Sequence, residues 1–415
     1  MESQITAVRS YIRNNWSNTV REPFMQGPSE IRLPHPFTVP IAGTMFHLFN
    51  YWDTYFTCEG LLRDDRLELV LNNAENIFFL IDTYGFVPNN AHQTELIRSQ
   101  PPISSILVES IYSRTQDKSW LARAYLALEK EYAFWMAFRS GPHLLNHYGW
   151  HGYPKDIENF HWVTQERLGE VPADPIEKMI FQAHAVAEVE SGWDFTPRFK
   201  RRCADHYAID LNSLLFMYEV NMAFFSGQLK NDRGAFWQKL SLSRRVRINQ
   251  LCWNPNQSMY YDYDIVNKNV ADVESAAAFF TLWAGIPSMD QATRMVSKLS
   301  LLEYDYGIVA CRPFEEENKR DKSNQVYQWN FPNAWPPLQW AMMAGLVRYG
   351  FVEDAKRLAG KYINCVNRNF IETGSLWEKY NAVTGGVDAV DEYPKPAVLG
   401  WTAGTYLYAL EILGL

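Results

Sequence analysis

The stretch EDAKRLAGKYINCVNRNF, Glu353 to Phe370, decides the fold class. Its apolar positions Ala355, Leu358, Ala359, Tyr362, Ile363, Val366 and Phe370 recur at steps of three and four residues and so fall on one face of an α-helix. ELVLNNAENIFFLIDTYG, Glu68 to Gly85, repeats the pattern and ends on a glycine that can take the left-handed conformation which stops a helix. The same period runs through SWLARAYLALEKEYAFWMAF, DLNSLLFMYEVNMAFFSGQL, AAAFFTLWAGI, PLQWAMMAGLVRYG and GTYLYALEIL. Between these segments lie joints rich in Pro, Gly and Asn, such as GFVPNNAHQ, WNPNQSM and NFPNAWPP. Strand-like alternation is scarce, so the chain reads as nearly all helical with long loops.

No Gly/Ser or Pro-rich linker and no low-complexity tract divides the 415 residues, which favours one large domain over three. A chain of helices this long closes on a shared core as a solenoid or as a double ring. No repeat of fixed period is present, and the ring of paired helices is the better fit.

Composition narrows the function. Hydrophobic residues are 47% and charged residues 21%, which permits a sizeable core and argues against global disorder. The 15 Trp, 23 Tyr and 24 Phe suit a cleft that stacks the flat apolar faces of sugars, although large helical cores also use aromatics. A formal net charge of -8 argues against binding a nucleic-acid backbone. The N-terminus MESQITAVRSYIRNNW has no signal-peptide run and no stretch has the length of a membrane span, so a cytoplasmic protein without a membrane partner is expected. The cysteines Cys58, Cys203, Cys252, Cys311 and Cys365 show neither CxxC nor His-spaced patterns and read as packed thiols; no metal or other cofactor is called for. The oligomeric state is not legible.

Several constellations bear chemistry. EVESGWDFTPRF sets Asp194 between Trp193 and Phe195 and follows it with Arg198. Two readings fit: a turn pinned by an Asp194–Arg198 salt bridge, or a carboxyl kept protonated by apolar surroundings as a proton donor. In FNYWDTYF, Trp52 offers a stacking face beside the hydrogen-bonding carboxylate of Asp53, with core packing and a helix cap as the alternative. GFVPNNAHQTELIRSQPP places Asn89, Arg98 and Gln100 before a rigid double proline, as a ligand loop or a surface turn. QWNFPNAWPPLQW, from Gln328 to Trp340, makes a stiff aromatic wall that includes Trp329, Asn333 and Trp335, or a packed core corner. In GSLWEKYNAVTGG, Glu378 is a second carboxylate among aromatics, with an exposed pair to Lys379 as the alternative. Asp194 and Glu378 together suggest the acid and base of glycoside hydrolysis, and their separation decides between inversion and retention.

These motifs together resemble the trehalases, glycoside hydrolase family 37, and more loosely the family 63 group of alpha-glucosidases and mannosylglycerate hydrolases. The likeness runs from about Pro40 to the C-terminus and keeps motif order through YWDTYF, GFVPN, IRSQPP, EKEYAFWM, ESGWDFTPRF, DLNSLLF, WNPNQSMYYDYD, PNAWPPLQW, WEKY and GWTAG. The resemblance implies an (α/α)6 toroid over residues 40–415, with 1–39 as a helical extension packed on it. It also implies a metal-free inverting hydrolase acting on a small-molecule glycoside, with Asp194 as general acid and Glu378 as general base. Trp52, Asp53, Asn89, Arg98, Gln328, Trp329 and Asn333 match its sugar-pocket motifs, and Gln100, Trp193, Trp335 and Trp401 lie within matching stretches.

The departures are equally specific. Met45 and Leu48 in PIAGTMFHLFNYWD stand where trehalases carry an Arg and a Glu. A second pocket Arg, expected in an RPES-like segment, is not found; that region reads WHGYPKDIENFHW, with Lys155 or Asp156 nearby and Glu158 as the retained carboxylate. Asn330 replaces the Asp of the QWD motif, and GGVDAVDEYP, with Glu392, replaces the glycine-rich lid. A charge-assisted hydrogen bond contributes about 1.5 to 3 kcal/mol, so two lost arginines weaken sugar binding by roughly a hundredfold. Three functions compete: an inverting α-glycosidase on trehalose or another α-glucoside, the same acid and base applied to a non-sugar substrate, and a non-catalytic carbohydrate binder. The retained acid and base favour an enzyme.

Overall fold

The computed structural model describes residues 2–40, 47–168, 171–313, 327–388 and 396–415. Among these, fifteen α-helices are assigned: α1 Glu2–Asn15, α2 Tyr51–Arg63, α3 Leu67–Tyr84, α4 Ser104–Thr115, α5 Lys118–Phe138, α6 Pro154–Asn159, α7 His161–Leu168, α8 Pro175–Glu190, α9 Ile209–Leu229, α10 Gly234–Leu251, α11 Phe280–Ala284, α12 Met289–Val296, α13 Pro336–Arg348, α14 Val352–Thr373 and α15 Gly400–Leu413. Their ends follow local chemistry. The Asp117 and Asp174 carboxylates accept from the first free N–H groups of α5 and α8, Ser288 and Gln291 form a capping box on α12, and Gly85, at φ 82°, stops α3.

Six helices close a ring. α2, α4, α9, α11, α13 and α15 each pack against the next, and α15 returns to α2. Helices of the inner ring are buried nearly all round: α2, α9, α13 and α15 bury most of their residues. Outside them α3 packs on α2, α5 on α4 and α9, α10 on α9, and α14 on α13 and α15, while α1 lies on α14. The opening stretch of the sequence is thus an outer helix; its apolar stripe is buried except for Phe370, which is half-buried against the Tyr11 ring at 5.0 Å. The seam between α2 and α15 is a backbone contact: a Cβ on Gly404 would overlap the Phe56 carbonyl, and one on Gly60 would come within 2.9 Å of the Gly404 Cα.

The little extended structure among the described residues consists of two-residue ladders, too short to leave an alternating pattern in sequence. One of them matters for the site: Asn333–Ala334 pairs antiparallel with Tyr380–Asn381, which ties the segment before α13 to the segment after α14. One continuous core runs from Ile5 to Leu410, and a smaller cluster of Ile97, Phe160, Leu168, Ala185, Val186, Val189 and Phe195 sits beside it. All five cysteines are buried and none forms a disulfide. No helix among the described residues is long and apolar enough to cross a membrane.

Candidate active site

A cavity of about 310 Å³ opens where the inner helices begin. Its lining comes from the first turns of α2 and α15, the loop between α3 and α4, α6 and α7, the turn after α8, and the segments before α13 and after α14. Because α2, α13 and α15 point their N-terminal ends this way, their partial positive charge faces the carboxylates gathered there.

The acid-bearing turn is braced from behind. At the end of α8 the Glu188 carboxylate accepts the Thr196 N–H at 2.6 Å. Glu190, fully buried, accepts the Ser99 N–H at 2.8 Å and the Gly149 N–H at 2.7 Å and takes Arg139 in a two-point ion pair. Gly192, at φ 73°, lets the chain turn against the Trp52 indole; a Cβ there would lie 2.9 Å from the ring. Trp193 and Phe195 are fully buried and anchor the turn, leaving Asp194 facing the cavity with its side chain 26% exposed. Its ionic partner is Arg167 of α7, whose Nη1 lies 2.9 Å from Oδ2 and whose Nη2 donates to Gln328 Oε1 at 3.3 Å. Arg198 is not that partner: it is fully buried, paired with Asp210 and Asp262 at 2.8 Å each.

Glu378 lies in the segment that leads from α14 to α15. It is buried, with Oε2 at 2.8 Å from the Lys379 Nζ, and its backbone carbonyl accepts the Trp401 indole N–H at 3.0 Å. Lys379 is itself fully buried, so the pair is an internal one and not the exposed pair that the sequence alone allowed. Half-buried Asp53, in the first turn of α2, completes a group of three carboxylates. Burial pushes its carboxyl from 3.8 up to about 7, its own backbone N–H pulls the other way, and the Glu378 and Asp194 carboxylates add to the rise. Around these groups stand Trp52, Trp329, Trp335 and Trp401; Trp329 and Trp335 are stacked at 4.0 Å with planes 2° apart.

The trehalase family model matches residues 1–414 of the 415. The chain belongs to the trehalase family. It is 32% identical to a periplasmic trehalase of Xanthomonas oryzae pv. oryzae, over 99% of this chain and 74% of that protein. It is 29% identical to a cytosolic neutral trehalase of Emericella nidulans, over 91% of this chain but only 58% of that protein, so it spans little more than half the length of this relative. Among solved structures, the neutral trehalase of Saccharomyces cerevisiae superposes with a TM-score of 0.78 at 26% identity, over 97% of this chain and 79% of that one. The family 63 mannosylglycerate hydrolase of Thermus thermophilus, in complex with glucose, shares the fold with a TM-score of 0.67 at 16% identity, over 96% of this chain and 99% of that one.

The trehalase-like motifs converge on this cavity only in part. Trp52, Asp53, Asn89, Arg98, Gln100, Gln328, Trp329, Trp335 and Trp401 line it together with Asp194 and Glu378. Trp193, Asn330 and Asn333 are buried behind the wall: Trp193 leans on Trp329 at 5.3 Å, and the Asn333 amide donates to the Gln328 carbonyl at 2.7 Å. Glu158 is exposed and does not line the cavity; Asp156 and Phe160, four residues apart and so on one side of α6 and its end, line it instead, and position 158 falls between them on the other side. Met45 and Glu392 lie outside the described residues.

One reading of the trehalase motifs needs correction. A second arginine does line the cavity, and it is Arg167, five residues past the end of the WHGYPKDIENFHW segment. Nothing in TQERLGE marks it, because α7 rather than a rigid loop delivers it. Glu95 was also missed: it lines the cavity and ion-pairs with Arg98 one turn on, while the Arg98 guanidinium covers the Phe160 ring at 4.8 Å. Its only sequence signal is the spacing of three residues from Arg98.

Proposed function

We propose that the protein is an inverting α-glucoside hydrolase of trehalase type, with Asp194 as general acid and Glu378 as general base. The observation that carries the reading is the meeting of these two carboxylates in one cavity walled by four indoles. The indole wall offers a pyranose an apolar surface, and Asp53, Arg98, Gln100 and Gln328 supply the hydrogen bonds that orient hydroxyls. Protonated Asp194 donates to the glycosidic oxygen as the C1–O bond breaks. Glu378 takes a proton from water, whose oxygen forms the new bond at C1 from the opposite face. The glucose attacked at C1 is released as the β-anomer while the leaving group keeps its own configuration, and proton exchange with solvent resets the two carboxyls. Arg167 sits where it stabilises the carboxylate left on Asp194 after the transfer. Trehalose is the first substrate to try, since the trehalase family model spans the chain. A cytoplasmic setting fits the likeness to cytosolic trehalases. Division into a ring domain over 40–415 and an extension over 1–39 is part of the same proposal.

The test is incubation of purified protein with trehalose, glucosylglycerate and a panel of α-glucosides, following free glucose and the anomer first formed by proton NMR. Release of β-glucose is expected. Initial α-glucose alone overturns inversion, and Asp194→Asn and Glu378→Gln variants of undiminished activity overturn the assignment of roles.

A further inference from the structure

Lys379 follows the proposed base in sequence and has no reason of its own to be buried. An ammonium moved out of water costs several kcal/mol unless a counter-charge meets it, and a packed apolar side chain usually serves the core as well or better. Here the ammonium is fully enclosed, and its Nζ lies 2.8 Å from Glu378 Oε2 and 4.6 Å from the centre of the Trp335 ring. Trp335 is stacked on Trp329, which leans on Trp193 at 5.3 Å. Trp193 in turn carries the Arg198 guanidinium at 4.4 Å, itself clamped by Asp210 and Asp262.

The outcome is a series of cation, three indoles and cation. One end is the residue after Glu378 and the other reaches the residue before Asp194. The cations at its two ends are each attracted to the negative π-face of the ring they meet, which holds the series together end to end. We propose that this column sets the proposed acid and base in register across the cavity, and that Lys379 is the positioning residue of Glu378. Its ammonium fixes Oε2 and so holds the carboxylate in one orientation. Among the described residues, the other charged groups that share the cavity with Glu378 include Asp53 on α2 and Asp194 with its Arg167.

The inference rests on the hydrolase reading, and the experiment separates the two. Lys379→Met and Lys379→Arg are compared with the unsubstituted protein for kcat, KM and melting temperature, on whichever glycoside the unsubstituted protein turns over. With Met, kcat is expected to fall about a hundredfold with KM within about threefold. Arg restores only part of kcat, because it keeps the charge while its larger planar fork cannot take the place of the compact ammonium in a fully enclosed site. A folded Met variant with kcat unchanged overturns the proposal and leaves the hydrolase reading standing. If the Met variant does not fold, the Arg variant decides: unchanged kcat overturns the positioning role. No turnover of any glycoside by the unsubstituted protein overturns both.

Discussion

Asp194 began as a carboxylate set between two aromatics with an arginine nearby, and its neighbours in space are not its neighbours in sequence. Trp193, Phe195 and Arg198 are structural anchors, while the charge that faces Asp194 comes from Arg167, 27 residues upstream. Replacing Arg167 by Met removes a charge-assisted contact of about 1.5 to 3 kcal/mol, so kcat/KM is expected to fall roughly 10- to 100-fold with little change in melting temperature. An unchanged kcat/KM would place Arg167 outside the chemistry. Asp53 gives a prediction in pH. Its folded value of about 7 stands above the ordinary 3.8, so the folded chain keeps a proton that the unfolded chain has released. Stability is full below about pH 4 and declines until about pH 7. Asp53→Asn should therefore match the parent at pH 4 and exceed it at pH 8, by about 2 kcal/mol once cavity water is allowed for. Melting curves at the two pH values check this, and a gain independent of pH would refute it.

At the scale of elements, the helices were legible because each stripe or all-round apolar run reports burial directly. α14 carries a one-sided apolar stripe and lies outside the ring, while α9, whose period the sequence also shows, buries polar and apolar residues alike and lies within it. The cavity was legible where rigid Pro- and Trp-rich segments carry its residues, as with Trp329 and Trp335. It was illegible where a short helix aims a side chain inward, since Arg167 sits in a stretch of ordinary surface composition. Nor does sequence separate wall from backing: Trp193 and Asn333 belong to the same motifs as the lining residues yet stand one layer behind. The brace at the end of α8 is testable as a unit. Arg139 and Glu190 are both buried, and Glu190 also receives two backbone N–H groups that tie the loop before α4 and the chain near Gly149 to the acid turn. Arg139→Met leaves that carboxylate buried without its cation, and a loss of about 3 to 5 kcal/mol in denaturant unfolding is expected. A loss below about 1 kcal/mol would mean that the two N–H donors suffice.

The whole molecule is a closed ring, and closure explains why its site draws on residues from position 40 to position 401. The seam joins α2 to α15, with Gly60 and Gly404 admitting backbone contact, so the first and last ring helices hold each other in place. α1 stands outside this circuit but presses on it through α14: Ile5, Val8, Ile12 and Trp16 are buried, and the Trp16 indole donates to Asp64 Oδ2, just past the end of α2, at 2.7 Å. None of residues 2–39 lines the cavity. Removing residues 1–19 should thus strip apolar cover from the ring without touching its chemistry. Each fully buried apolar side chain contributes about 1.5 to 3 kcal/mol relative to exposure, so the truncated chain is expected to melt several degrees lower, with kcat at low temperature within about twofold of the parent. The same loss of activity at every temperature would show instead that α1 fixes the geometry of α2 and, through it, the position of Asp53.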